Sequence, residues 1–139
     1  MKPSVIVIGD EPDIRKVCSE FLRLKSIDVL ATGNNGKDAV ELYQKYRPDV
    51  VLMDFMMPDV DGLYALKNIR KLDSTARVII SIDSADYGTY EQLTESGVSA
   101  IIQKPTDLYN LVEMINKISF DDYIQEPTHN ALRFTCNRL

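Results

Sequence analysis

No apolar run in this chain approaches the roughly 20 residues needed to cross a bilayer. The first hydrophobic stretch, Val5–Ile8, follows Lys2-Pro3 directly and is too short for the core of a secretory signal. Membrane insertion and export are therefore not expected, and a cytoplasmic location is. There are only two cysteines, Cys18 and Cys136, and they form no metal or redox motif. Cys18 falls among Val17, Phe21 and Leu22 and reads as a thiol on an apolar helix face. The one histidine, His129, has no ligand partners nearby, which excludes a zinc site built on it. Positive charge is also short: 16 Lys and Arg against 21 Asp and Glu give a net charge of -5. Bare nucleic acid and anionic membrane are poor partners for such a surface, whereas a basic protein or a cation suits it. Repeats and low-complexity tracts are absent.

What is present is alternation. The 139 residues suit one domain, and at 45% hydrophobic they can bury an ordinary core. Strands are expected at Val5–Ile8, Asp28–Thr32, Val50–Met53, Val78–Ile82 and Ala100–Gln103. Between them lie amphipathic stretches. One runs from Pro12 to about Leu24, with Ile14, Val17, Cys18, Phe21 and Leu22 on one face. The next follows the Gly33–Gly36 turn to Tyr46, with Ala39, Val40 and Tyr43 inward. Gly62–Lys71 turns Leu63, Leu66 and Ile69 inward. Tyr87–Ser96 is a sparse helix ended by Gly97. A last helix, capped by Asp107, carries Leu108, Leu111, Val112, Ile115 and Ile118. Strands alternating with helices argue for a parallel sheet covered on both faces, and near-continuous apolar strands agree. From Phe120 onward the periodicity fades. Residues 1–119 are expected to form the domain. Residues 120–139 are read as a tail or an added helix, with no output domain.

In such a sheet ligands bind beyond the carboxyl ends of the strands, where strand order reverses. The first strand ends in Gly9-Asp10-Glu11, the third in Asp54 and the fifth in Lys104. Each charge alone is also what a solvated loop looks like; their coincidence at three strand ends argues for a site. If the first and third strands are neighbours, Asp10 and Asp54 converge within about 5 Å. Two carboxylates ~4 Å apart repel by roughly 4 kcal/mol at an effective dielectric of 20, and a divalent cation removes that cost. Oxygen ligands select Mg²⁺ or Mn²⁺. With the cation and Lys104 neutralising phosphate oxygens, Asp54 is suited to attack phosphorus and form an acyl phosphate.

The segments VIVIGDEPDIR, VVLMDFMMPDVDG and QKP, in that order and spacing, resemble the receiver domains of two-component response regulators. The resemblance runs from about Val5 to Ile118. It implies a flavodoxin-like (βα)5 three-layer fold, with a five-stranded parallel sheet in the order 2-1-3-4-5. It implies Asp54 as phosphoacceptor, with Asp10, Asp54 and the Met56 carbonyl as Mg²⁺ ligands. Lys104 is the phosphoryl contact, and the bond before Pro105 is cis. The implied donor is a histidine kinase or phosphotransfer protein. The implied output is a protein partner or a homodimer, through a face that includes Tyr87, Tyr90, Ile101 and Tyr109, with no direct contact to nucleic acid. The chain is thus expected to be a signalling protein and not an enzyme.

Three positions depart from the family pattern. Gly9 stands where a second acid is usual, Ile82 where a switch Ser or Thr is usual, and Ile101 where a switch aromatic is usual. Ser84 is the candidate replacement hydroxyl. Ser81 is a poor one, because a one-residue slip reverses side-chain direction. These departures keep open a receiver-like interaction module whose output needs no phosphorylation. An aspartyl-nucleophile hydrolase would want an acid where Met56 stands. A flavin-binding flavodoxin would want a phosphate loop where Asp10-Glu11-Pro12-Asp13 would repel one.

Overall fold

The computed structural model describes residues 2–57, 61–83, 87–105 and 107–120. Continuous apolar runs become strands and amphipathic runs become helices, in strict alternation. The elements are β1 (Ser4–Ile8), α1 (Pro12–Leu24), β2 (Asp28–Gly33), α2 (Gly36–Tyr46), β3 (Val50–Asp54), α3 (Gly62–Leu72), β4 (Val78–Ile82), α4 (Tyr87–Glu95), β5 (Ala100–Gln103) and α5 (Leu108–Phe120). All strand pairs are parallel and their order is β2-β1-β3-β4-β5. Order reverses between β1 and β3, as expected for the flavodoxin-like arrangement. Among the described residues no helix is long and apolar enough to cross a membrane. Of the expected tail, residues 120–139, Phe120 is the last residue of α5 and the rest lies outside the described residues, as do Ser84 and the side chain of Tyr87.

Period-two alternation divides the core into two layers. Ile6, Ile8, Val51, Met53, Ile80, Ile82 and Ile101 face α2, α3 and α4, where they meet Ala39, Leu66, Ile69 and Leu93. Val5, Val7, Leu52, Ile79, Ala100 and Ile102 face α1 and α5, where they meet Leu22, Leu111, Met114 and Ile115. Local signals start the helices. The Asn35 side chain accepts from the Asp38 amide at 2.9 Å, and Asp61 accepts from the Tyr64 amide at 3.0 Å. Asp107 caps α5 as expected, accepting from the Tyr109 and Asn110 amides at 3.0 and 3.3 Å.

Two expectations about faces need correction. The first is α1, which turns Ser19 and Leu22 toward the sheet and leaves Ile14 61% and Val17 59% exposed. The Arg15 guanidinium donates to the Gly9 carbonyl at 2.5 Å and ties the rotation of the first turn to the end of β1. Ile14 and Val17 instead line a cavity beside α5. The second is the four-residue partner face. Ile101 is fully buried, packed with Leu93 and Val98. Tyr109 turns the other way, edge-on to Phe21 of α1 with ring centroids 5.2 Å apart. Tyr90 packs against the same layer as Ile101, on the other side of the sheet from Tyr109. Ile101, Tyr90 and Tyr109 therefore form no common surface.

At the amino ends of the strands, far from Asp54, one arginine gathers two loops. Arg70 of α3 donates through Nε and Nη2 to the Gly97 carbonyl, at 3.0 and 2.5 Å. Its Nη1 donates to the Ser74 carbonyl at 3.3 Å and to the Ala76 carbonyl. Burial lowers the pKa of this guanidinium. Next to it the Tyr43 hydroxyl donates to Asp73 at 2.7 Å, and Thr75 donates to Asp73 from its amide at 2.9 Å and its hydroxyl at 2.7 Å. The Thr75 side-chain bond, then the Tyr43 bond, hold the Asp73 pKa down at about 2, below its usual 3.8.

Arg70→Ala should lower the stability measured in urea by about 2–3 kcal/mol, because part-buried carbonyls lose their donors. Asp73→Asn should show a pH signature. The folded-state pKa of Asp73 is depressed, so its contribution is present above pH 4 and is lost as pH falls toward 2. The stability gap between wild type and Asp73→Asn should therefore be open at pH 5 and narrow progressively between about pH 4 and 2.

Candidate functional site

β3 carries Asp54 on the same face as Val50 and Leu52, at the last strand position. The register sets Asp54 beside Ser81 of β4. The backbone stays paired just past the strand, with the Phe55 amide donating to the Ser81 carbonyl at 2.8 Å. The Lys104 amide likewise donates to the Ile82 carbonyl at 2.7 Å, which brings the end of β5 to the same rim. The bond between Lys104 and Pro105 is cis, as expected.

The two oxygens of Asp54 have different surroundings. Oδ1 accepts from the Ser81 hydroxyl at 2.6 Å and lies 3.4 Å from Lys104 Nζ. Side-chain exposure is 20% for Asp54 and 29% for Lys104, so the pair is shielded but reachable from solvent. Oδ2 faces Gly9. A Cβ on Gly9 would stand 2.9 Å from Oδ2, closer than such atoms normally approach. The missing side chain at the end of β1 thus leaves the second carboxylate oxygen room. Gly62 serves the same rim from another side. A Cβ there would stand 2.8 Å from the Asp54 carbonyl and 3.0 Å from Phe55 Cα, while its amide donates to the Phe55 carbonyl at 2.9 Å. The glycine that follows Asp54 in the sequence is there to let α3 begin against the strand end.

Asp54, Ser81 and Lys104 open into a cavity of about 570 Å³ between α1, α5 and the sheet. Its rim carries Glu11, Asp13 and Asp83, and its floor is apolar, with Ile102 and Leu111. Cys18 lines it too, and its thiol pKa is pushed up to about 11, chiefly by burial and then by the Asp54 charge. That thiol is protonated at neutral pH and is no nucleophile.

The structure therefore brings together Asp54, Lys104 and Gly9 from the expected set. Asp10 is exposed in the turn after Gly9, and the Met56 side chain is exposed in the loop after β3. Among the described residues no group of three or more His, Cys, Asp or Glu side chains is placed to hold a metal ion. Ile82 is buried in the opposite layer and points away from Asp54. Ser81 is the residue that sequence reasoning set aside. No slip is needed to bring it to Asp54, since the two are register partners on one face. Counting along β4 from a family pattern could not reveal this; the parity of Asp54 and Ser81 in two neighbouring strands could.

The comparisons with known proteins agree with this fold. The response regulator receiver domain family matches residues 5–116. The chemotaxis protein CheY of Bacillus subtilis (strain 168) is 32% identical over 117 residues, covering 84% of this chain and 98% of that protein. The solved structure of a LuxR-family DNA-binding response regulator from Staphylococcus aureus is 33% identical with a TM-score of 0.79, covering 84% of this chain and 98% of that one. A complex of CheX with CheY, BeF3 and magnesium from Borrelia burgdorferi superposes with a TM-score of 0.79 at 23% identity, covering 85% of this chain and 90% of that one. With a family match over most of its length and a relative 32% identical over nearly all of that protein, this chain belongs to the response regulator receiver domain family.

Proposed function

We propose that this receiver domain accepts a phosphoryl group on Asp54 from a histidine kinase or phosphotransfer protein, and that the modified form changes which protein it binds. The carrying observation is the asymmetry of the Asp54 carboxylate. Oδ1 is held by Ser81 and Lys104, while Oδ2 is clear beside Gly9 and accepts no hydrogen bond from a described residue. Oδ2 is the oxygen with room to attack. As it attacks phosphorus, the bond from phosphorus to the leaving group breaks, and the electron pair stays with that group. Lys104 then has phosphoryl oxygens within a short side-chain movement and offsets their charge. The reaction modifies the protein itself, so the role is that of a switch and not of a turnover enzyme.

The oxygen donors fit a small hard cation in kind: the Asp54 and Asp10 carboxylates and the Met56 carbonyl would hold it. Magnesium, when bound there, would neutralise developing charge on the transferring phosphoryl group. Gly9 supplies no carboxylate, so one anionic ligand fewer is available than in the usual acid pair. The magnesium named in the Borrelia burgdorferi complex supports this choice of metal. A second reading, an interaction module that works without phosphorylation, draws on one observation. Ile82 and Ile101, at the usual switch positions, are 2% and 0% exposed and packed among apolar side chains.

One experiment separates the two. With Mg²⁺ and a small phosphodonor, the intact mass of the wild-type chain should rise by one phosphoryl group, and that of Asp54→Asn should not. Wild type without any mass gain would leave the interaction-module reading standing. A Gly9→Ala variant should slow phosphoryl uptake, because the new Cβ displaces Oδ2. Uptake at the wild-type rate in that variant would show that the space beside Oδ2 is not used.

A further inference from the structure

The switch hydroxyl is missing from Ile82, but the fourth strand supplies another one residue earlier. Ser81 already donates to the carboxylate that would be modified, at 2.6 Å. Its other cross-strand partner in the register is Ile102 of β5. Ser81 therefore belongs to the row that runs from Asp54 to Ile102 across the face covered by α1 and α5. Ile82 belongs to the other row, against Leu93 of α4.

The two faces differ in how much they can yield. On the α4 side Ile82, Leu93 and Ile101 are 2% exposed or less and packed against one another. A close-packed interior transmits strain but leaves no space for a local shift. On the other side Ser81 opens into the 570 Å³ cavity, whose far wall is Ile14 and Val17 of α1 and whose near wall is Leu108 and Leu111 of α5. Among the described residues, this cavity is where a displacement of Ser81 has room.

We infer that Ser81 is the hydroxyl that reads the chemical state of Asp54, and that it delivers the reading to α1 and α5 rather than to α4. This rests on Asp54 being the phosphoacceptor. When Oδ2 bonds to phosphorus, Oδ1 changes from a carboxylate oxygen to the carbonyl oxygen of an acyl phosphate, which is a weaker acceptor. The phosphoryl oxygens carry about two negative charges and are the stronger acceptors nearby. The Ser81 proton and the Lys104 ammonium are drawn from Oδ1 toward them. Ser81 and Lys104 both line the cavity, so the movement alters the walls that α1 and α5 share.

The test uses the full chain with acetyl phosphate and Mg²⁺, in wild type, Ser81→Ala and Ser81→Thr. Intact mass reports phosphoryl occupancy, and residue-resolved amide hydrogen exchange reports the response. At equal occupancy, wild type should change exchange at residues 14–18 and 108–111. Ser81→Ala should still gain the phosphoryl mass, but that change should shrink about tenfold, the loss of one charge-assisted hydrogen bond. Ser81→Thr keeps the hydroxyl and should restore the change. An unchanged α1 and α5 response in Ser81→Ala would overturn the inference, as would a wild-type response confined to α4. A Ser81→Ala chain unable to gain the mass would place the hydroxyl in the transfer chemistry and not in the reading of it, which also overturns the inference. If wild type itself gains no mass, the phosphoacceptor reading fails first and this one falls with it.

Discussion

The proposed chemistry depends on a carboxylate standing at the end of a fully buried strand. Val50–Met53 is apolar on both faces, and Asp54 closes it. A charge in that place costs free energy unless it is compensated. Ser81 and Lys104 compensate one oxygen. The sheet topology is what makes this possible. Placing β3 between β1 and β4 brings Gly9 to one side of Asp54 and Ser81 to the other, and β5 brings Lys104 over the top. The glycines at 9 and 62 keep the rim open where a side chain would crowd the carboxylate or the strand end behind it.

The two ends of the sheet are built for different tasks. At the amino ends, Arg70 spans Gly97, Ser74 and Ala76, while Tyr43, Thr75 and Asp73 form a hydrogen-bonded cluster. These contacts lock loops and lie away from Asp54. At the carboxyl ends the side chains surround an open cavity lined by Glu11, Asp13, Asp54, Asp83 and Lys104. Such a division of labour lets a chemical change at Asp54 act on local geometry without threatening the fold. It also gives Ile82 and Ile101 a simple meaning: both add to the packed layer under α4.

Much of this could be read from the sequence for identifiable reasons. Short apolar runs broken by Gly, Pro and charged residues mark each strand, and all ten elements fall within a few residues of where the pattern puts them. Asp54 and Lys104 stood out because they end strands, and strand ends are where parallel sheets bind ligands. Rotation was harder to read. The apolar residues of α1 form two overlapping stripes, and the choice between them is made by tertiary contacts such as Arg15 with the Gly9 carbonyl. Ser81 was misjudged for a related reason. Its direction follows from the pairing of β3 with β4, which no single-strand count contains. Tyr109 turns to Phe21 because of where α1 lies, and that too is a property of the assembled layers.

The central claim is that Asp54, and no other carboxylate of the acidic rim, forms the acyl phosphate. Borohydride reduction of the phosphorylated chain converts an aspartyl phosphate to homoserine, and peptide mass mapping then locates that residue. The account predicts homoserine at position 54 alone. Homoserine at Asp10, Asp13 or Asp83 with Asp54 intact would contradict it.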